Sequence, residues 1–165
     1  MGDDVKGVGD EVRGMGTRDE VRGMGTGDEA RGVGREERER RYEDFYDLEV
    51  WKRAKEIVGM VYKLTKDFPR QEAYSLTDQV RRSTSSICAN IAEGFSRYHS
   101  KEKIKFYYNA RGSISESMNH VLIAQTIGYL PADISNELLD RLRLIRKMLN
   151  AMINSVANSP YYKKK

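Results

Sequence analysis

From Asp47 onward, apolar residues recur every three or four positions, a spacing that predicts four amphipathic helices. The first is expected over roughly residues 47–67, with Asp47 as its N-cap. Its stripe is Trp51, Ala54, Val58, Val61 and Thr65, with Ile57, Tyr62 and Leu64 alongside. Phe68-Pro69 ends it, because the residue before proline is pushed out of the helical region. The second opens at Ser75, where Ser75 and Asp78 are spaced as in a capping box. It carries Leu76, Val80, Ser83, Thr84, Ile87, Ile91 and Phe95 on one face. The third starts near Ser100, buries Ile104, Tyr107, Tyr108, Ile114, Met118, Val121 and Leu122, and stops at Gly128. Pro131 suits the first turn of the fourth, which repeats Ile134, Leu138, Leu142, Ile145, Leu149, Met152, Ile153 and Val156. No segment alternates like a strand. The expected fold is all-α, an antiparallel up-down-up-down four-helix bundle.

Ahead of this region the pattern is of another kind. Asp10-Glu-Val-Arg-Gly-Met-Gly-Thr-Arg18 is followed by Asp19-Glu-Val-Arg-Gly-Met-Gly-Thr-Gly27, then by Asp28-Glu-Ala-Arg-Gly-Val-Gly34. Ten of the fourteen glycines fall here and no aromatic precedes Tyr42, so the segment lacks the apolar surface to offset its ordering entropy. Its Gly-x-Gly pairs lack the preceding strand and following helix that a phosphate loop needs. The expected organisation is a disordered Gly-rich repeat tail over 1–41, a bundle over 42–160 and a basic C-terminal tail over 161–165. Repeats so nearly identical point to expanded DNA read through as protein, upstream of the natural start.

Charge sharpens the division. Residues 1–41 hold nine Lys/Arg against eleven Asp/Glu, whereas residues 42–165 hold twenty against fourteen. A basic folded region favours contact with nucleic acid or another polyanion, although a solvated Lys/Arg surface reads the same way. Cys88 is the only cysteine, which excludes an intrachain disulfide and suits a reducing compartment. No apolar run approaches the ~18 residues of a membrane span, and no signal peptide is recognisable. A cytoplasmic protein without membrane contact is expected.

Two helices carry more than a four-helix bundle needs. On the second, Ser85, Cys88, Ala89, Ala92 and Ser96 form a strip of small residues opposite the core stripe. On the third, Gly112, Ser113, Glu116 and His120 lie opposite Ile114 and Met118. These faces either meet solvent or let other subunits approach closely, giving a closed homo-oligomer. Arg111 falls within the apolar stripe of the third helix, where it either snorkels to water or marks a ligand path. Catalytic chemistry has little to draw on. Glu116 and His120 find no second Glu/His pair with which to hold paired metals, and no triad neighbourhood surrounds Cys88 or Ser113. No metal, cofactor or enzymatic activity is expected. Binding is better supplied: Arg81, Arg82, Arg97, Lys101, Lys103 and Lys105 can neutralise phosphates, and Tyr98, Tyr107 and Tyr108 interleave with them.

Asp47-Leu-Glu-Val-Trp51, Gln79-Val-Arg-Arg82, Ser86-Ile-Cys-Ala-Asn-Ile-Ala-Glu-Gly94, Ala110-Arg-Gly-Ser-Ile-Ser-Glu116 and Gly128-Tyr-Leu130 extend the argument. Over roughly residues 43–157 the chain resembles the bacterial four-helix-bundle family encoded by intervening sequences of 23S ribosomal RNA genes, sometimes labelled S23 ribosomal protein. The accessory protein of diversity-generating retroelements is a structural relative. The resemblance implies a homopentameric ring without known enzymatic activity, contacting RNA or DNA, or docking a nucleic-acid-processing partner such as a reverse transcriptase. It directs attention to the motif residues Asn90, Glu93, Gly94, Gly112, Ser113 and Glu116 as subunit contacts.

Overall fold

A computed structural model describes residues 42–159, and in this stretch four α-helices account for most of the chain. They are α1 (Glu49–Leu64), α2 (Leu76–Ser96), α3 (Ser100–Thr126) and α4 (Ala132–Ala157). Each packs on its sequence neighbours, and α1 also meets α4, which closes the four into a bundle. Short connections make neighbours antiparallel. The repeat tail and the basic tail expected at the two ends lie outside the described residues.

The helix ends follow from local chemistry, and several depart from the periodicity. α1 begins at Glu49, not Asp47, because Asp44 and Asp47 close a reciprocal capping box on a 3-10 turn, Phe45–Asp47. It stops at Leu64, before Phe68-Pro69; the Thr65 hydroxyl turns back to the Val61 carbonyl at 2.7 Å. Ser75 holds the expected cap position, but its side chain makes no capping hydrogen bond. Glu72 from the preceding turn accepts the Leu76 N–H at 3.2 Å instead. α3 ends in a Schellman arrangement: Tyr129 N–H reaches the Ala124 carbonyl at 2.8 Å and Gly128 N–H the Gln125 carbonyl at 3.1 Å. This needs the left-handed φ of +80° that Gly128 adopts.

The core runs along Val50, Ala54, Ile57 and Val61 of α1, rotated from the expected stripe, so Trp51 and Val58 sit half-buried on its flank. α2 contributes Leu76, Val80, Ile87 and Ile91, and α4 Leu138, Leu142, Ile145, Leu149 and Ile153. Each fully buried Ile or Leu stabilises the fold by about 1.5–3 kcal/mol relative to exposure. α3 departs most from expectation. Its inward face is Tyr107, Ala110, Ser113, Ile114, Ser117, Val121 and Ala124, whereas Tyr108 and Leu122 are about half exposed. Small and hydroxyl-bearing residues bring α3 close to α2, and a ladder of side-chain hydrogen bonds joins them. Ser117 donates to Ser83 at 3.0 Å and Ser86 and Ser113 share a hydrogen bond of 2.9 Å, while within α2 Asn90 donates to the Ser86 carbonyl and hydroxyl. Buried hydroxyls so paired avoid the penalty of an unsatisfied polar group.

Candidate nucleic-acid interface

The small-residue motif belongs largely inside the protomer. Ser113 is buried against Ser86 of α2, and Gly94 is buried where a Cβ would stand 2.6 Å from Cε1 of Tyr107. Both correct the expectation of subunit contacts: what these residues admit is the neighbouring helix of the same chain. Asn90 is half-buried and tied to Ser86. Gly112, Glu93 and Glu116 do lie on the surface, and nothing stands within 4 Å of a Cβ built on Gly112. Glu93 pairs with Arg97, and Glu116 lies 3.8 Å from His120.

The six basic candidates divide into two groups. Arg81 is half-buried, with Nε donating to the Thr65 hydroxyl at 2.8 Å and its guanidinium 4.8 Å from the Tyr62 ring centroid. It fastens α2 to α1. Arg97 pairs with Glu93 and lies over Phe106 at 4.7 Å. Lys103 is half-buried, donates to the Phe95 carbonyl at 3.2 Å, and has its pKa lowered by burial. Arg81 and Lys103 are committed to the fold, which corrects their reading as surface phosphate contacts; the Arg97 side chain, 39% exposed, stays at the surface in its pair with Glu93. Arg82, Lys101 and Lys105 are exposed.

The α2–α3 turn concentrates what remains. Arg97 leaves the helix in an extended conformation and His99 caps α3, so the intervening Tyr98 is thrown outward. Tyr98 is 93% exposed and touches only the edge of His99 among aromatic rings, at 5.2 Å. Lys101 and Lys105 follow one turn apart on α3, with exposed Glu102 the nearest acid in sequence. At the other end of α2, Tyr74 is 97% exposed in the turn Arg70–Tyr74, shortly before Arg82. Periodicity overlooked Tyr74 because it belongs to no helix stripe; its signal is an aromatic between charged residues and a helix start.

Other candidates resolve plainly. Arg111 is half-buried, with its guanidinium 5.4 Å from the Tyr108 ring on the same helix. Cys88 is half-buried against the core, and burial pushes its pKa up to about 11, which keeps the thiol protonated and a poor nucleophile near neutrality. Among the described residues no group of three or more His, Cys, Asp or Glu could hold a metal ion. No helix there is long and apolar enough to cross a membrane.

A bundle of four helices, with outward tyrosines and exposed cations at both ends of α2, defines a class of small all-α proteins. Within that class, the chain belongs to the 23S rRNA-intervening sequence protein family, whose family model matches residues 46–151. The fold is similar to that of a protein of unknown function from the S23 ribosomal protein family of Bacteroides thetaiotaomicron VPI-5482. The two are 21% identical with a TM-score of 0.59, over 63% of this chain and 97% of that one. No curated protein matches.

Proposed function

We propose that this chain is a non-catalytic, self-associating binding protein, a homopentamer, whose basic surface contacts RNA or DNA. The observation that carries the nucleic-acid reading is the α2–α3 turn, where the outward Tyr98 stands beside exposed Lys101 and Lys105. An exposed aromatic ring can stack on an unpaired base while neighbouring ammonium groups neutralise its phosphates, a sequence-tolerant mode of binding single strands. Self-association draws support from α3. Ile104, Tyr108, Arg111, Ser115, Met118 and Leu122 recur at steps of four and three along the flank of its core face, with Ile104 and Met118 packed against the core and Tyr108, Ser115 and Leu122 exposed. That spacing is the one at which a second helix packs along a seam.

Fluorescence anisotropy of a labelled single-stranded RNA, titrated with the full chain at several salt concentrations, tests the reading. Affinity should fall with salt by about 0.7 log units per log unit for each phosphate neutralised. Tyr98→Ala and the pair Lys101→Glu, Lys105→Glu should each weaken binding, the second also flattening the salt slope. Salt-independent binding, or affinity unchanged in both variants, would overturn it.

A docking role for a protein partner, such as a reverse transcriptase, is the second reading, and the half-exposed Tyr108 and Leu122 of α3 favour it. Association with a protein that survives nuclease treatment, together with negligible affinity of the pure chain for RNA, would replace the first reading with this one.

A further inference from the structure

At the end of the bundle where α1 begins, α2 ends, α3 begins and α4 ends, the helices leave a cavity of about 460 Å³. This lies within the range of small-molecule sites. Leu48, Val50, Phe95, Met148, Met152 and Val156 make the apolar half of its wall. Two polar groups border it without the partners such groups usually have. Lys103 Nζ is half-buried and held only by the Phe95 carbonyl at 3.2 Å and the Phe95 ring at 5.7 Å; no ion pair joins it to a carboxylate among the described residues. The Tyr107 hydroxyl, on a ring that is 2% exposed, has no hydrogen-bond partner among the described residues, and burial pushes its pKa up to about 12. Glu49, the one acid on the lining, is already engaged with Arg53 at 3.0 Å.

A half-buried ammonium without a counter-ion costs desolvation that a bound anion would offset, and an unpartnered phenol beside it is a second donor. The surrounding Leu, Val, Phe and Met surface would take an apolar body. We infer that this cavity binds a small amphipathic anion, an aliphatic or aromatic carboxylate whose head group meets Lys103 and Tyr107 and whose tail lies among Val50, Met148 and Met152. The cavity opens at the same end of the bundle as the α2–α3 turn surface, but Tyr98, Lys101 and Lys105 do not line it.

The test uses the full chain. Anilinonaphthalene sulfonate, an aromatic anion, is titrated by fluorescence and then displaced with decanoate or with decan-1-ol. Decanoate should displace the dye at concentrations about tenfold below those of the alcohol, as expected when a charge-assisted hydrogen bond replaces a neutral one. Lys103→Met, which keeps the apolar stem, should remove that preference, whereas Lys63→Met, exposed in the last turn of α1 at the opposite end of the bundle, should leave it intact. Ser155→Trp, which fills the cavity from its rim, should abolish dye binding. Equal displacement by acid and alcohol, an unchanged preference in Lys103→Met, or undiminished dye binding in Ser155→Trp would each overturn the assignment.

Discussion

At Gly94 the backbone of α2 lies against the ring of Tyr107, and this contact predicts an unusual cost for the mildest of substitutions. In Gly94→Ala the new methyl would stand 2.6 and 2.8 Å from two Tyr107 ring carbons and 3.2 Å from Cβ of Phe106. Ordinary carbon contacts are about 3.5–4.0 Å, so the ring must retreat by roughly 1 Å. Tyr107 is 2% exposed, and the Phe106 Cβ is fixed to its backbone. Overpacking of this kind costs about 1–3 kcal/mol, while replacing a helical glycine by alanine stabilises by about 1 kcal/mol. The cavity beside Tyr107 lets the ring yield in part, so a net loss of about 1 kcal/mol is expected. Gly59, inside α1 with nothing within 4 Å of a built Cβ, supplies the reference. There the same change should stabilise by about 1 kcal/mol, putting the two variants about 2 kcal/mol apart. Urea denaturation followed by circular dichroism measures both. Adding Tyr107→Leu to Gly94→Ala should remove most of the penalty, because the clashing atoms are then gone. Equal stabilisation by alanine at positions 94 and 59 would refute the reasoning.

Other expectations follow from the same geometry. Arg81→Ala should destabilise by about 1–2 kcal/mol through loss of the Thr65 hydrogen bond and the Tyr62 contact, while Arg82→Ala should stay within about 0.5 kcal/mol; chemical denaturation separates the neighbours. Ser117→Ala should cost about 1 kcal/mol, and the double variant with Ser83→Ala less than the sum of the singles, in a double-mutant cycle. Cys88 carries a raised pKa, so between its ordinary value of 9.0 and about 11 the folded chain holds a proton that the unfolded chain has lost. Its contribution is complete below that window and disappears as pH rises through it, so Cys88→Ala should flatten the decline in stability there. Gly112→Ala should stabilise an isolated protomer by about 1 kcal/mol, yet weaken assembly if a second copy rests on that face, which sedimentation velocity would reveal.

The bundle was legible because the cores of α2 and α4 are written in Leu, Ile and Val at helical spacing, where hydrophobicity and burial coincide. α3 was misread for the opposite reason. Ala110, Ser113 and Ser117 face inward because α2 comes close, while Tyr108 and Leu122 remain half outside. A hydrophobic period assigns the large residues to the core and passes over the small ones. The same proximity accounts for Gly94 and Ser113, whose spacing announces a close helix approach without saying whether the partner helix belongs to the same chain. Among the cations, sequence gave equal standing to Arg81 and Arg82; only the fold turns one toward Thr65 and leaves the other in solvent. The cavity at the bundle end could not be read in advance, since its lining comes from four helix ends far apart in sequence.

The central claim, a self-associating protein that takes up nucleic acid on a basic surface, is tested most directly by light scattering coupled to gel filtration on the full chain, with and without single-stranded RNA, at low and high salt. The account predicts a discrete mass of five 19.0 kDa protomers that co-elutes with RNA at low salt and releases it at high salt. A 19.0 kDa monomer that ignores RNA at every salt concentration would contradict it.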